Sequence, residues 1–241
     1  MSQKRNAFRE GLKDGLPICL GYLAVSFAFG IQAVSTGLSV FQSTLISLTN
    51  LTSAGQFAGL GIIAASGSFL EMAGVQFIIN LRYMLMSAAI SQKLSPEVST
   101  LKRLGIAFGM TDEVFGISAA RPGMLEPAYS AGAILIAMLG WTLGTFLGAY
   151  SGEILPAGLI SALGVALYGM FIAIVIPTAR DDKNIMITAL AAVLLSSVFT
   201  FAPVLNTISS GFRIIIVTVV SAGVAAVLFP VDDAEEGACC E

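Results

Sequence analysis

Six apolar runs, each about as long as a bilayer's hydrocarbon core is thick, punctuate this chain at 17–36, 69–91, 127–149, 154–178, 185–202 and 211–229. A membrane-spanning helix needs roughly 20 such residues. Inside lipid no water can satisfy backbone N–H and C=O groups, so a segment of this kind must bond within itself as a helix. The sequence therefore predicts an all-α polytopic integral membrane protein. Composition agrees: 56% of the 241 residues are hydrophobic, 11% are charged and the mean hydropathy is +0.88, against about 25% charged residues in soluble domains. The gaps between runs are too short for a soluble domain. Residues 1–16 read as a cytoplasmic amino-terminal segment, 17–229 as a single transmembrane domain and 230–241 as a polar acidic tail.

Two further stretches are ambiguous. Residues 38–66 are long enough to cross but are interrupted by Thr49, Asn50, Thr52, Ser53, Gly55 and Gln56, and residues 104–120 are short and carry Asp112 and Glu113. The expectation is thus six to eight membrane segments, one or two of them broken or re-entrant. Loop charge favours re-entry. Lys and Arg accumulate in short cytoplasmic loops, and the positive charges at Lys4, Arg5, Arg9 and Lys13, at Lys93, Lys102 and Arg103, at Arg121, and at Arg180 and Lys183 share one side only if both ambiguous stretches leave by the face they entered. Both termini then face the cytoplasm. If both stretches cross instead, Lys93, Lys102 and Arg103 are exported.

The basic head before the first run resembles the start of a signal peptide. The run itself exceeds a 7–15-residue signal core, and no small-x-small cleavage site follows it, so it is expected to remain as the first span. Net charge is −3, with the acidic excess in 232–241 and no basic patch for nucleic acid. The chain has no histidine, which removes the commonest metal ligand and the usual base of a nucleophile triad. No metal, cofactor or enzymatic activity is expected. Cys19, Cys239 and Cys240 make no disulfide framework.

Small residues recur at helical spacing. Gly140, Gly144 and Gly148 line one face of the run holding Trp141, with only Thr142 and Thr145 as polar company. They read as a packing surface for another helix. Gly55 and Gly59 could serve the same end, but Asn50 and Gln56 add amides that lipid would penalise, so 49–61 reads equally as a broken helix exposing backbone to a substrate. Prolines 17, 127, 156, 177 and 203 lie near run ends, their ordinary place. A faint echo between 12–30 and 101–116 carries no topology.

The chemistry concentrates in a few charges. Arg82 lies inside an apolar run, about 16 Å along a helix from Lys93, too deep to reach the interface easily. A charge at this depth costs several kcal/mol in lipid and so turns toward a partner or a water-filled cavity. Its guanidinium suits a substrate carboxylate or one of Glu71, Asp112 and Glu113. Asp112 and Glu113 point about 100° apart on a helix, so one can pair with Arg82 while the other faces water as a proton carrier; the alternative is a solvated edge beside Arg121. Glu71, at the start of its run, reads as interfacial.

Taken in order, GYLAVSFAFG, SAGQFAGLG, NLRYMLMSAAIS and TDEVFG resemble the AzlC family of bacterial branched-chain amino acid permeases, from about residue 11 to 229. The resemblance implies export of leucine, isoleucine and valine, with methionine as a further candidate substrate, across the bacterial cytoplasmic membrane, coupling to the proton-motive force, and a small AzlD-type membrane subunit as partner. Combined with the polar residues above, it nominates Asn50, Ser53, Gln56, Phe57, Asn80, Arg82 and Tyr83 for substrate, with Met84 beside them, and Asp112 and Glu113 for proton coupling. The competing reading is a non-transporting membrane scaffold or regulatory subunit whose interior polar residues only hold helices together.

Overall fold

The computed structural model describes residues 2–154, 158, 172, 176, 179–180, 182–202 and 205–230. The run expected at 154–178 lies almost wholly outside the described residues. The helices are α1 (Ser2–Asp14), α2 (Leu16–Ser35), α3 (Val40–Thr49), α4 (Ser53–Ala64), α5 (Phe69–Lys93), α6 (Thr100–Phe108), α7 (Asp112–Ala119), α8 (Pro127–Ile154), α9 (Lys183–Phe201) and α10 (Ser210–Leu228). No strand occurs among the described residues. Among the described residues five helices, α2, α5, α8, α9 and α10, are long and apolar enough to cross a membrane.

Both ambiguous stretches break in the middle. The first forms α3 and α4 around an extended Asn50 (φ −145°, ψ 113°); the second forms α6 and α7 around an extended Thr111 (φ −122°, ψ 170°). Ser39 and Gln42 form a capping box that starts α3, and the Thr111 hydroxyl accepts from Val114 N–H to start α7.

The contacts show that both broken stretches re-enter. We call the end where α2 begins proximal and the other distal. Thr52 bonds Asn80, Gly55 lies against Gln76, Gly59 against Met72 and Gly67 against Glu71. As α4 leaves its break it therefore runs antiparallel to α5 and reaches the distal end where α5 begins, which is where α2 delivered the chain. α5 has 25 residues, roughly 37 Å at 1.5 Å per residue, so Lys93 is at the proximal end. There Arg103 donates to the carbonyls of Ser91 and Ser95, and Lys93 Nζ donates to those of Ala119 and Arg121. The second hairpin enters and leaves proximally. Its flanking charges join those of α1, so Arg9, Lys13, Lys93, Lys102, Arg103 and Arg121 all gather at one end.

The chain from α2 to α7 is thus two similar units of inverted orientation, each a crossing helix followed by a hairpin that re-enters from the face just reached. Matching features repeat at near-constant separation: serine N-caps at Ser39 and Ser99, and threonine N-caps at Thr52 and Thr111. Inverted repeats with broken helices at mid-depth are a recurrent transporter architecture. The faint sequence echo has a different register from this repeat, because the repeat is carried by caps and breaks rather than by shared apolar residues.

α8 is the spine. α1 and α2 run parallel to it for their whole length, Phe8 and Leu12 meeting Gly132, Cys19 meeting Gly140, Leu23 and Ser26 meeting Gly144, and Phe27 meeting Gly148. A Cβ on Gly144 or Gly148 would fall on the carbonyl oxygen of Leu23 or Phe27. The glycine face thus serves packing, and its partner helix belongs to the same chain. The amino-terminal segment is a helix that nearly continues into α2, with Ala7 buried in the proximal core beside Val114, Tyr129 and Ala133.

α10 joins the bundle distally through Glu71. Only 4% exposed, its carboxylate accepts from Ser209 Oγ at 2.6 Å and Gly211 N–H at 2.7 Å. The expected interfacial carboxylate is instead a buried cap on the first turn of α10, whose unpaired N–H groups attract negative charge.

Candidate functional site

The two hairpin tips converge on the middle of α5. On the first hairpin, Thr52 Oγ1 donates to Asn80 Oδ1 at 2.6 Å. Asn80 in turn donates to Gln76 at 3.3 Å, and Gln76 donates to the Gly55 carbonyl at 2.7 Å. These amides hold α4 against α5 without charge. On the second, Asp112 accepts from Arg82 at 2.8 Å. Arg82 also donates to the Tyr83 hydroxyl at 3.0 Å and lies 4.8 Å from that ring's centroid; the same hydroxyl faces Thr52.

The Arg82 and Asp112 side chains are 43% and 39% exposed. Sequence reasoning expects Arg82 to be buried in the bundle; it is paired, yet the pair stands open. At this depth such exposure demands water or another protein surface, since lipid would penalise both charges.

The second acidic residue goes elsewhere, as a 100° separation requires. Glu113 accepts a hydrogen bond from Tyr22 on α2. Tyr22 meets Trp141 of α8 edge-on at 5.3 Å, and Trp141 Nε1 donates to Gln56 Oε1 at 2.9 Å. Gln56 is 3% exposed. Its amide donates to the carbonyls of Asn50 and Ile46, and its oxygen lies 3.5 Å from the Ser47 hydroxyl. Ser47 pairs with Thr145 of α8 at 2.7 Å. A continuous set of contacts therefore joins Glu113, on one hairpin, to the break of the other.

Of the residues nominated from sequence, Asn80, Arg82, Tyr83, Asp112 and Glu113 come together around the tips. Asn50 shapes the first break, its Oδ1 accepting from Thr52 N–H at 3.1 Å, and Ser53 opens α4, half-buried. Gln56 has its donors and acceptors engaged within the protein. Phe57 packs edge-on against Phe29 in the distal core, and Met84 is largely exposed. Thr52, Thr111, Tyr22 and Trp141 were not nominated. Both threonines stand at helix N-cap positions, and the Thr111 hydroxyl caps its helix while that of Thr52 goes to Asn80; nothing in the apolar run around Tyr22 marks its partner.

Among the described residues no cluster of three or more Cys, Asp or Glu side chains could hold a metal. What the site offers is a fixed cation, two carboxylates and the amino-terminal ends of two half-helices at mid-depth. That end is free of acidic residues in α4 and carries Asp112 and Glu113 in α7. Helix amino termini favour anions, so one is available to a carboxylate from outside while the other already faces its own.

Crossing helices, inverted re-entrant hairpins and charges where their tips meet α5 define a polytopic membrane protein of transporter type. Residues 17–155 match the family described as AzlC protein, and the chain belongs to the AzlC family. It is 29% identical to the Inner membrane protein YgaZ of Escherichia coli over 81% of this chain and 82% of that one. It is 32% identical to an uncharacterized membrane protein of Archaeoglobus fulgidus, over 73% and 78% of the two chains. A Helicobacter pylori membrane protein is 24% identical over 64% of this chain. No solved structure matches.

Proposed function

We propose that this chain is the large subunit of a secondary transporter that exports leucine, isoleucine, valine and methionine across the bacterial cytoplasmic membrane, driven by protons and assembled with a small AzlD-type membrane subunit. It is not an enzyme in this reading. The observation that carries it is the open Arg82–Asp112 pair at the meeting point of the hairpin tips. An α-amino acid is a zwitterion whose carboxylate suits a guanidinium and whose ammonium suits a carboxylate. Substrate exchanges one ion pair for two, leaving no charge uncompensated at membrane depth. The substrate carboxylate also faces the acid-free amino terminus of α4, and Asn80 and Tyr83 supply further polar contacts.

The gathering of basic residues at the proximal end supports placing that end, and both termini, in the cytoplasm. Export coupled to protons then means that Asp112 or Glu113 changes protonation as the hairpins exchange access between the two faces.

Radiolabelled leucine counterflow in liposomes, with and without the small subunit and under an imposed pH gradient, tests the proposal. Saturable, gradient-sensitive flux is expected. A folded complex with no flux under either gradient overturns it in favour of a membrane scaffold.

A further inference from the structure

The inverted units match in geometry but not in chemistry. Each break is tied to the crossing helix of the other unit: Thr52 of the first break bonds Asn80 of α5, and Glu113, two residues past Thr111 of the second, accepts from Tyr22 of α2. The first break, with Asn50, Thr52, Ser53 and Gln56, has no ionisable side chain, whereas the second has Asp112 and Glu113. Those two carboxylates are bound differently. Asp112 is held by a cation at 2.8 Å. Glu113 is held by a phenol, and among the described residues no cation lies within salt-bridge distance of it.

We propose that proton coupling resides in the second unit alone. Glu113, positioned by Tyr22, takes up and releases the proton, and the contacts through Tyr22, Trp141 and Gln56 carry its charge state to the break of the first hairpin. This rests on the transport reading and decides between the two carboxylates that reading leaves in play. Asp112 stays matched to the charge of Arg82 or, with substrate present, to the substrate ammonium, so protonating it would strand a cation. Protonating Glu113 strands nothing. The proton adds to the carboxylate that accepts the Tyr22 bond, weakens that bond and lets the phenol turn.

The groups facing Glu113 are few. Among the described residues they are Tyr22 from α2 and Asp112 from its own helix, with Arg82 and Tyr83 of α5 beyond Asp112 and the neutral Trp141 of α8 beyond Tyr22. A rotation of Tyr22 is felt directly at Trp141, whose indole N–H anchors Gln56 and so the Asn50–Thr52 break. Tyr22 and Trp141 are positioning residues in this scheme.

Trp141 is the single tryptophan of the chain, so its emission reports on the relay without any need for transport. Whole protein in lipid nanodiscs is titrated across the pH range in which it stays folded while tryptophan emission is recorded, for wild type, Glu113→Gln, Asp112→Asn and Tyr22→Phe. A sigmoidal transition is expected in wild type and Asp112→Asn, lost in Glu113→Gln and displaced in Tyr22→Phe. Leucine counterflow across the same pH range should follow the same transition and become insensitive to pH in Glu113→Gln. An unchanged transition in Glu113→Gln, or its loss in Asp112→Asn alone, overturns the proposal. An emission transition that depends on Glu113 in a protein with no leucine flux would instead remove the transport reading while leaving the relay in place.

Discussion

The seam between α2 and α8 and the meeting point of the hairpin tips lie side by side, yet they are built on opposite principles. Apart from the Tyr22–Trp141 contact, the seam is made mainly of glycines lying against backbone, which leaves little to rearrange. The tips are made of hydroxyls, amides and charges whose bonds can be exchanged. A transporter needs both, a fixed frame and elements that move against it, and here the sequence separates them cleanly.

Gly148→Leu attacks the frame at its closest approach and should have the largest effect. Overpacking in a well-packed core costs roughly 1–3 kcal/mol, and here the obstacle is the Phe27 carbonyl rather than a pliable side chain. Size-exclusion chromatography of detergent-solubilised protein should show loss of the monodisperse peak. Normal yield and profile would mean that the helices are not held this closely.

Gln56→Leu acts where frame and tips meet. It leaves the buried Trp141 N–H unpaired, at about 1–3 kcal/mol for an orphaned group. A lower unfolding temperature should accompany slower leucine flux; loss of flux with stability unaltered would make Gln56 a substrate ligand instead. Glu71→Ala should cost less, about 1 kcal/mol as for a lost helix cap, with Glu71→Gln recovering part because an acceptor remains. Thermal unfolding of the pair of variants separates capping from charge. Least is expected of Arg121→Ala. Arg121 pairs with Glu10 at 2.7 Å and Asp14 at 3.6 Å at a solvent-accessible end where ion pairs are worth at most about 1 kcal/mol, and added salt should erase the difference from wild type.

How much of this was readable in advance follows the same division. The crossing helices, both breaks and the preference for re-entry were legible because run length, interrupting polar residues and loop charge act locally. The α-helical packing role of Gly140, Gly144 and Gly148 was legible from their spacing, though not that α2 fills it. Arg82 and the acidic pair announced themselves by their cost in lipid. Tyr22 did not, since a tyrosine in an apolar run is ordinary until its neighbour 91 positions away is known. Gln56 was legible as a costly amide, but not its bond to Trp141, a contact made only by the folded bundle. The inverted repeat stayed hidden since Thr52–Asn80 and Glu113–Tyr22 are alike in place and unlike in residue type.

Arg82→Ala, reconstituted with the small subunit and matched to wild type in amount and in size-exclusion profile, gives the most direct measurement. Leucine counterflow in that variant should fall to the level of empty liposomes, because Asp112 then has no cation and the substrate carboxylate no guanidinium. Saturable leucine counterflow at the wild-type rate would contradict the assignment of the Arg82–Asp112 pair as the zwitterion site.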